Sequence, residues 1–167
     1  MLDWVYMKKG STTIFLRLSI ICMGLIAIAL CIFAVPGVGK EWVYSYADIA
    51  IFRYPLMVGL WAAAIAFFIA LYHAMKLLSY IDKNIAFSEL SVKALQKIKQ
   101  CAVVIAVLFG GGLPFAYYFA QREDAPGFVL FGLVFIGATF SIAMFAAVLE
   151  KLLHNAIEMK SENELTV

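Results

Sequence analysis

The chain has 167 residues, of which 65% are hydrophobic and only 14% charged, with a formal net charge of +2 and a mean hydropathy of +0.94. A soluble domain of this length is nearer half apolar, so water is excluded as the main solvent of most of the chain. The small net charge gives no footing for direct nucleic-acid binding, which needs a concentrated basic surface.

The apolar residues fall into four long blocks, and every cluster of charge lies between them. About 20 residues cross the hydrocarbon core as a helix, which places spans at roughly residues 15–35, 54–75, 101–120 and 128–149. The expected fold is all-α, a four-helix transmembrane bundle forming a single membrane domain over residues 1–167.

The first block follows Lys8 and Lys9 and so resembles a secretion signal. Its apolar run continues to Val35, long enough to span, and ends at Pro36 and Gly37 without a convincing small-x-small cleavage site. Leu30 stands before Cys31 where a lipid-attachment cysteine needs a small residue. The segment reads as an uncleaved first helix. The connection at 37–53 carries Trp42, Tyr44, Tyr46 and Phe52, the composition of an aromatic belt at headgroup level.

In the second span Ala62, Ala66 and Ala70 form a small-residue stripe; Ala102, Ala106 and Gly110 form one in the third, and Gly137 and Ser141 one in the fourth. Such stripes let helix backbones approach closely, within one chain or between copies of a homo-oligomer. The third span also holds Gly110, Gly111, Gly112 and Pro114, which predicts a break or kink in its outer half, because proline cannot donate the helical hydrogen bond.

Between the second and third spans, residues 76–100 form the most structured polar segment. The second helix is expected to continue to Lys83 and to stop at Asn84, since asparagine tolerates the left-handed conformation. Ser88 is the candidate N-cap of a new helix, with Glu89 favourable against the helix dipole and Phe87 positioned to staple onto Val92. Leu90, Ala94, Leu95, Ile98 and Ala102 then follow one apolar face, opposite Glu89, Lys93, Gln96, Lys97 and Gln100. The expectation is an amphipathic helix leading into the third span, its lysines facing anionic lipid or a partner protein. Phe87, Ser88, Glu89, Leu90, Lys93, Leu95, Lys97 and Lys99 are the candidate docking or lipid-surface residues.

Lys and Arg set the direction. Ten of the 13, namely Lys8, Lys9, Arg17, Lys76, Lys83, Lys93, Lys97, Lys99, Lys151 and Lys160, fall at the termini and in the middle loop; only Lys40, Arg53 and Arg122 fall on the other side. By the positive-inside rule both termini and the middle loop are cytoplasmic. Arg17 and Glu150 should lie at similar depth, where independent snorkelling is expected rather than a pair.

No reactive constellation accompanies this layout. Cys22, Cys31 and Cys101 lie in apolar blocks without CxxC spacing, and His73 and His154 are far apart in the chain. Nucleophile–base pairs and phosphate-binding glycine loops are also missing, so no catalytic residue, metal or cofactor is expected, and the chain does not read as an enzyme.

The segment Ile81, Asp82, Asn84, Ala86, Phe87, Ser88, Leu90, Ser91, Val92, Ala94, Leu95, Ile98 and Lys99 resembles the corresponding segment of the bacterial membrane family DUF2975, and the layout agrees over almost the whole chain. The resemblance implies a four-helix protein of the bacterial inner membrane with no assigned activity. It also implies a possible pairing with a small helix-turn-helix regulator encoded nearby. The resulting expectation is a regulatory or sensory membrane partner of a cytoplasmic protein. The alternative is a small transporter or channel subunit using the glycine-rich break of the third span.

Overall fold

A computed structural model describes residues 13–33 and 50–165. The expected aromatic belt at Trp42, Tyr44 and Tyr46, together with Lys8, Lys9, Pro36 and Lys40, lies outside the described residues, as do the side chains of Phe52 and Arg53.

Among the described residues the chain forms four helices: α1 (Thr13–Phe33), α2 (Ala50–Asp82), α3 (Glu89–Arg122) and α4 (Gly127–Leu165). Each is long and apolar enough to cross a membrane. The expected second, third and fourth spans lie inside α2, α3 and α4, and the first overlaps α1. At 1.5 Å per residue, the 33 residues of α2, 34 of α3 and 39 of α4 run to about 50, 51 and 58 Å, against a hydrocarbon core of about 30 Å. These helices therefore reach well past the hydrocarbon.

Local sequence explains where they stop. Asn84 adopts φ 57°, and around it the Asn84 amide donates to the Ile81 carbonyl at 3.1 Å and the Ile85 amide to the Tyr80 carbonyl at 3.0 Å. That is the paired hydrogen bonding of a left-handed C-terminal cap, as expected from the asparagine. Asp124 repeats the conformation after α3 with φ 52°, and the Ala125 amide donates to the Ala120 carbonyl at 3.0 Å.

Gly110, Gly111, Gly112 and Pro114 do not interrupt α3, which runs unbroken to Arg122. This corrects the expectation of a break there. Pro114 removes one helical N–H, but its partner carbonyl belongs to Gly110, and the hydrogen bonds on either side continue the helix. A Cβ built on any of the three glycines would meet nothing within 4 Å, so they hold no close helix approach either.

The packing is centred on α3, which lies against both α2 and α4. Ala66, Cys101 and Ile105 form a buried cluster between α2 and α3, with Phe67, Ala70 and Phe109 against it. Toward α4, the Phe109 and Phe135 rings sit 4.7 Å apart and the Phe119 and Phe128 rings 5.0 Å apart. On α4 the buried residues are Ala143 and Ala146 rather than the expected Gly137 and Ser141, which are exposed. Close approach is instead made at Gly132, where an added Cβ would stand 3.2 Å from Leu113. Gly132→Leu is therefore expected to lower stability by about 1–2 kcal/mol, and Gly137→Leu by less than about 0.5 kcal/mol, as measured by thermal unfolding in one detergent.

Candidate docking surface at the polar end of the bundle

The start of α1, the α2–α3 turn and the end of α4 gather at one end of the bundle, where the charged residues of the middle segment lie. Ser88 stands at the N-cap of α3 in an extended conformation but makes no side-chain capping hydrogen bond. Its carbonyl accepts from the amides of Ser91 at 3.0 Å and Val92 at 3.3 Å, while its hydroxyl lies 3.5 Å from that of Ser91. The position expected for the cap is right, and its side-chain role is not.

Ser91 is the most buried residue described, with 0% exposure, and Val92, Ala94 and Leu95 are buried beside it. The expected apolar face of Leu90, Ala94, Leu95, Ile98 and Ala102 is thus corrected in part. Ala94, Leu95 and Ala102 are buried, whereas Leu90 is 51% exposed. The reason is that α3 packs against two helices, so its buried arc widens to take in Ser91 and Val92. Phe87, expected to staple onto Val92, is 66% exposed, while Val92 is buried.

Two ion-pair networks tie the helices together here, and neither is the arrangement expected for Arg17 and Glu150. Arg17 on α1 donates through Nη2 to Asp82 Oδ2 at 2.7 Å, at the last residue of α2. Glu150 on α4 accepts from Lys99 Nζ at 2.5 Å and from Gln96 Nε2 at 2.9 Å, both on α3. The apolar run of α4 ends at Leu149, so Glu150 lies just beyond it. The hydrogen bond from Lys99 holds the Glu150 carboxyl below its usual range, with Gln96 acting in the same direction against desolvation. One turn further along α4, His154 lies 3.9 Å from Glu89 and 3.4 Å from Glu158. An open groove lined by Val92, Gln96, Lys99, Lys151 and His154 runs between α3 and α4 at this level.

The candidate residues accordingly divide. Leu95 is packed in the bundle, Lys99 is held by Glu150, and Glu89 faces His154. Phe87, Leu90, Lys93 and Lys97 are exposed, together with Ile81, Lys83 and Ile85 of the turn. The apolar ones, Ile81, Ile85, Phe87 and Leu90, lie within ten positions of one another at the α2–α3 turn, called the tip below. Gly110, Gly111, Gly112 and Pro114 lie elsewhere, in the C-terminal half of α3, and are not part of this end.

The roles of four residues escaped the sequence reading. Asp82 carried a usable signal: an acidic residue at a helix C-terminus opposes the helix dipole and calls for a cation from another element. Ser91, small and polar among larger residues, is the signature of a tight approach. The choice of Lys99 and Gln96 by Glu150 had no local signal. In the apolar zone, the Thr139 hydroxyl donates to the Phe135 and Ile136 carbonyls, and that of Ser141 to the Gly137 carbonyl, so both bond within their own helix. Among the described residues no three His, Cys, Asp or Glu side chains gather as a metal site.

Residues 37–167 match the family described as a protein of unknown function, DUF2975. A relative from Bacillus subtilis (strain 168), the uncharacterized membrane protein YoaS, is 51% identical over 156 residues, covering 93% of this chain and 98% of the relative. No solved structure matches the chain. Four membrane-length helices, the matched family segment through the α2–α3 turn and this similarity over nearly the full length together show that the chain is a membrane protein belonging to the DUF2975 family.

Proposed function

We propose that this protein is a non-enzymatic, multi-pass protein of the bacterial inner membrane that presents the α2–α3 tip to a cytoplasmic protein. Both termini and the tip face the cytoplasm in this reading. The ten Lys and Arg residues on that side, against three on the other, support the orientation. A small helix-turn-helix regulator is the kind of partner that the family resemblance suggests.

The observation that carries the proposal is the exposure of Phe87 and Leu90, at 66% and 51%, at the polar end of the bundle. Leu90 lies nine residues beyond Lys99 along α3, about 13 Å at 1.5 Å per residue. A headgroup layer is only about 5–8 Å thick on each side. Even a helix tilt of about 40° leaves Leu90 about 10 Å out. Counted from Lys99, this places Leu90 beyond the headgroup layer and favours a protein over lipid as the cover of the exposed Phe87, Leu90, Ile81 and Ile85.

Phe87→Ala combined with Leu90→Ala is expected to reduce recovery of the bound cytoplasmic protein by about tenfold or more when the full-length protein is purified in mild detergent. The thermal midpoint should hold, because both side chains are exposed. Equal recovery of every partner would overturn the docking reading. Labelling of a Lys93→Cys variant by a membrane-impermeant reagent in whole cells would overturn the orientation.

A further inference from the structure

The C-terminal end of α2 has an electrostatic defect that only another helix corrects. Its last turn contains no basic residue, and its last residue is Asp82, an anion beside the carbonyl end of the helix dipole, where negative charge is unfavourable. Lys83 follows in sequence but stands exposed, outside the ion pair. The cation that meets Asp82 is Arg17, whose guanidinium reaches across from α1 at 2.7 Å.

That correction depends on α1 staying seated, and α1 is held lightly. None of its 18-residue apolar window is buried. Lipid supplies no hydrophobic force to press it onto α2, so its seating depends on close contacts and polar pairs. One such contact is Gly24, where an added Cβ would stand 3.3 Å from the tip of Leu71. Asp82, in turn, immediately precedes the cap whose two hydrogen bonds, from the Asn84 and Ile85 amides, set the path of the chain toward Phe87.

We infer that Arg17 is the C-terminal cation that α2 lacks, and that the order of the α2–α3 tip therefore depends on α1 being seated against α2. The tip is then a surface whose shape responds to the position of the first transmembrane helix. The regulatory meaning of this coupling rests on the docking reading above; the coupling itself does not. The pair is about one-third to two-fifths exposed, with side-chain exposures of 42% and 33%, so the effect is a moderate shift of an equilibrium rather than an all-or-none lock.

Hydrogen exchange of the full-length protein in nanodiscs tests it. Arg17→Gln is expected to speed exchange of the Asn84 and Ile85 amides by about three- to tenfold, leaving the amides of Ala102 and Ile105 unchanged. Adding Asp82→Asn to Arg17→Gln should restore the original rate to within about twofold, because the uncompensated charge is then gone. Gly24→Leu, which crowds α1 away from Leu71 while keeping Arg17, should reproduce the acceleration. Unchanged exchange in Arg17→Gln, failure of Asp82→Asn to restore it, or no response to Gly24→Leu would each overturn the coupling. No partner is needed for this measurement. Unchanged exchange alongside partner loss in the Phe87 and Leu90 variant would sink the coupling alone, and the opposite pair of results would sink docking alone.

Discussion

Ser91→Leu is expected to destabilise the protein by about 1–3 kcal/mol, with the loss concentrated at the start of α3. Ser91 has 0% exposure and is followed by buried Val92, Ala94 and Leu95. A leucine adds a branched, larger side chain where none of the surface is open. Either α3 shifts outward or neighbouring side chains leave their preferred rotamers. Ser91→Ala should cost less than about 1 kcal/mol, because the hydroxyl contact it removes, at 3.5 Å from Ser88, is at the limit of a hydrogen bond. Unfolding midpoints of the two variants in the same detergent decide it. If Ser91→Leu were as stable as the parent, the first turns of α3 would not be seated as described.

Glu150→Ala should cost about 1–3 kcal/mol, because it removes the carboxylate that joins α4 to α3 and leaves Lys99 and Gln96 without their acceptor. The side chain of Glu150 is 17% exposed, so water replaces little of what is lost. Lys99→Met combined with Glu150→Leu is expected to be milder than Glu150→Ala, since no unpaired charge remains. The pH dependence has a definite sign. The folded carboxyl titrates below its usual range, so its contribution is fully present above the unfolded carboxylate value. It is lost as pH falls through the lowered folded value. Scanning the unfolding midpoint from pH 7 to the acid side should show that loss in the parent and a shallower one in Glu150→Gln. Parallel profiles would show that the pair contributes nothing to stability.

Both substitutions fall on residues whose importance the chain conceals. Leu90 and Leu95 look equivalent in the helical repeat, yet Leu95 is buried and Leu90 exposed. Ala62 and Ala63 are equally small, and it is Ala63 that is buried. In a soluble protein the apolar stripe itself reports the buried face. In a bilayer, lipid accepts apolar side chains on every face, so alternation of polarity says little about which side meets another helix. Outside the hydrocarbon the pattern regains meaning, and there the lysines and glutamines of α3 are largely exposed as read. Leu90 is the exception, and its exposure is what marks the tip.

The amino-acid sequence by itself determined the number of helices, the apolar segment each contains and the α2–α3 turn, because these follow from local properties. Apolar runs of membrane length, an asparagine able to take φ 57° and a serine preceding Glu89 each act within a few residues of themselves. Tertiary structure alone decided which faces touch, that α3 lies between α2 and α4, and that Arg17 takes Asp82 while Glu150 takes Lys99. Those choices depend on the axial register of one helix against another. Side chains 65 and 51 positions apart meet only after the register is set, and no property of either residue's neighbourhood in the chain encodes that distance.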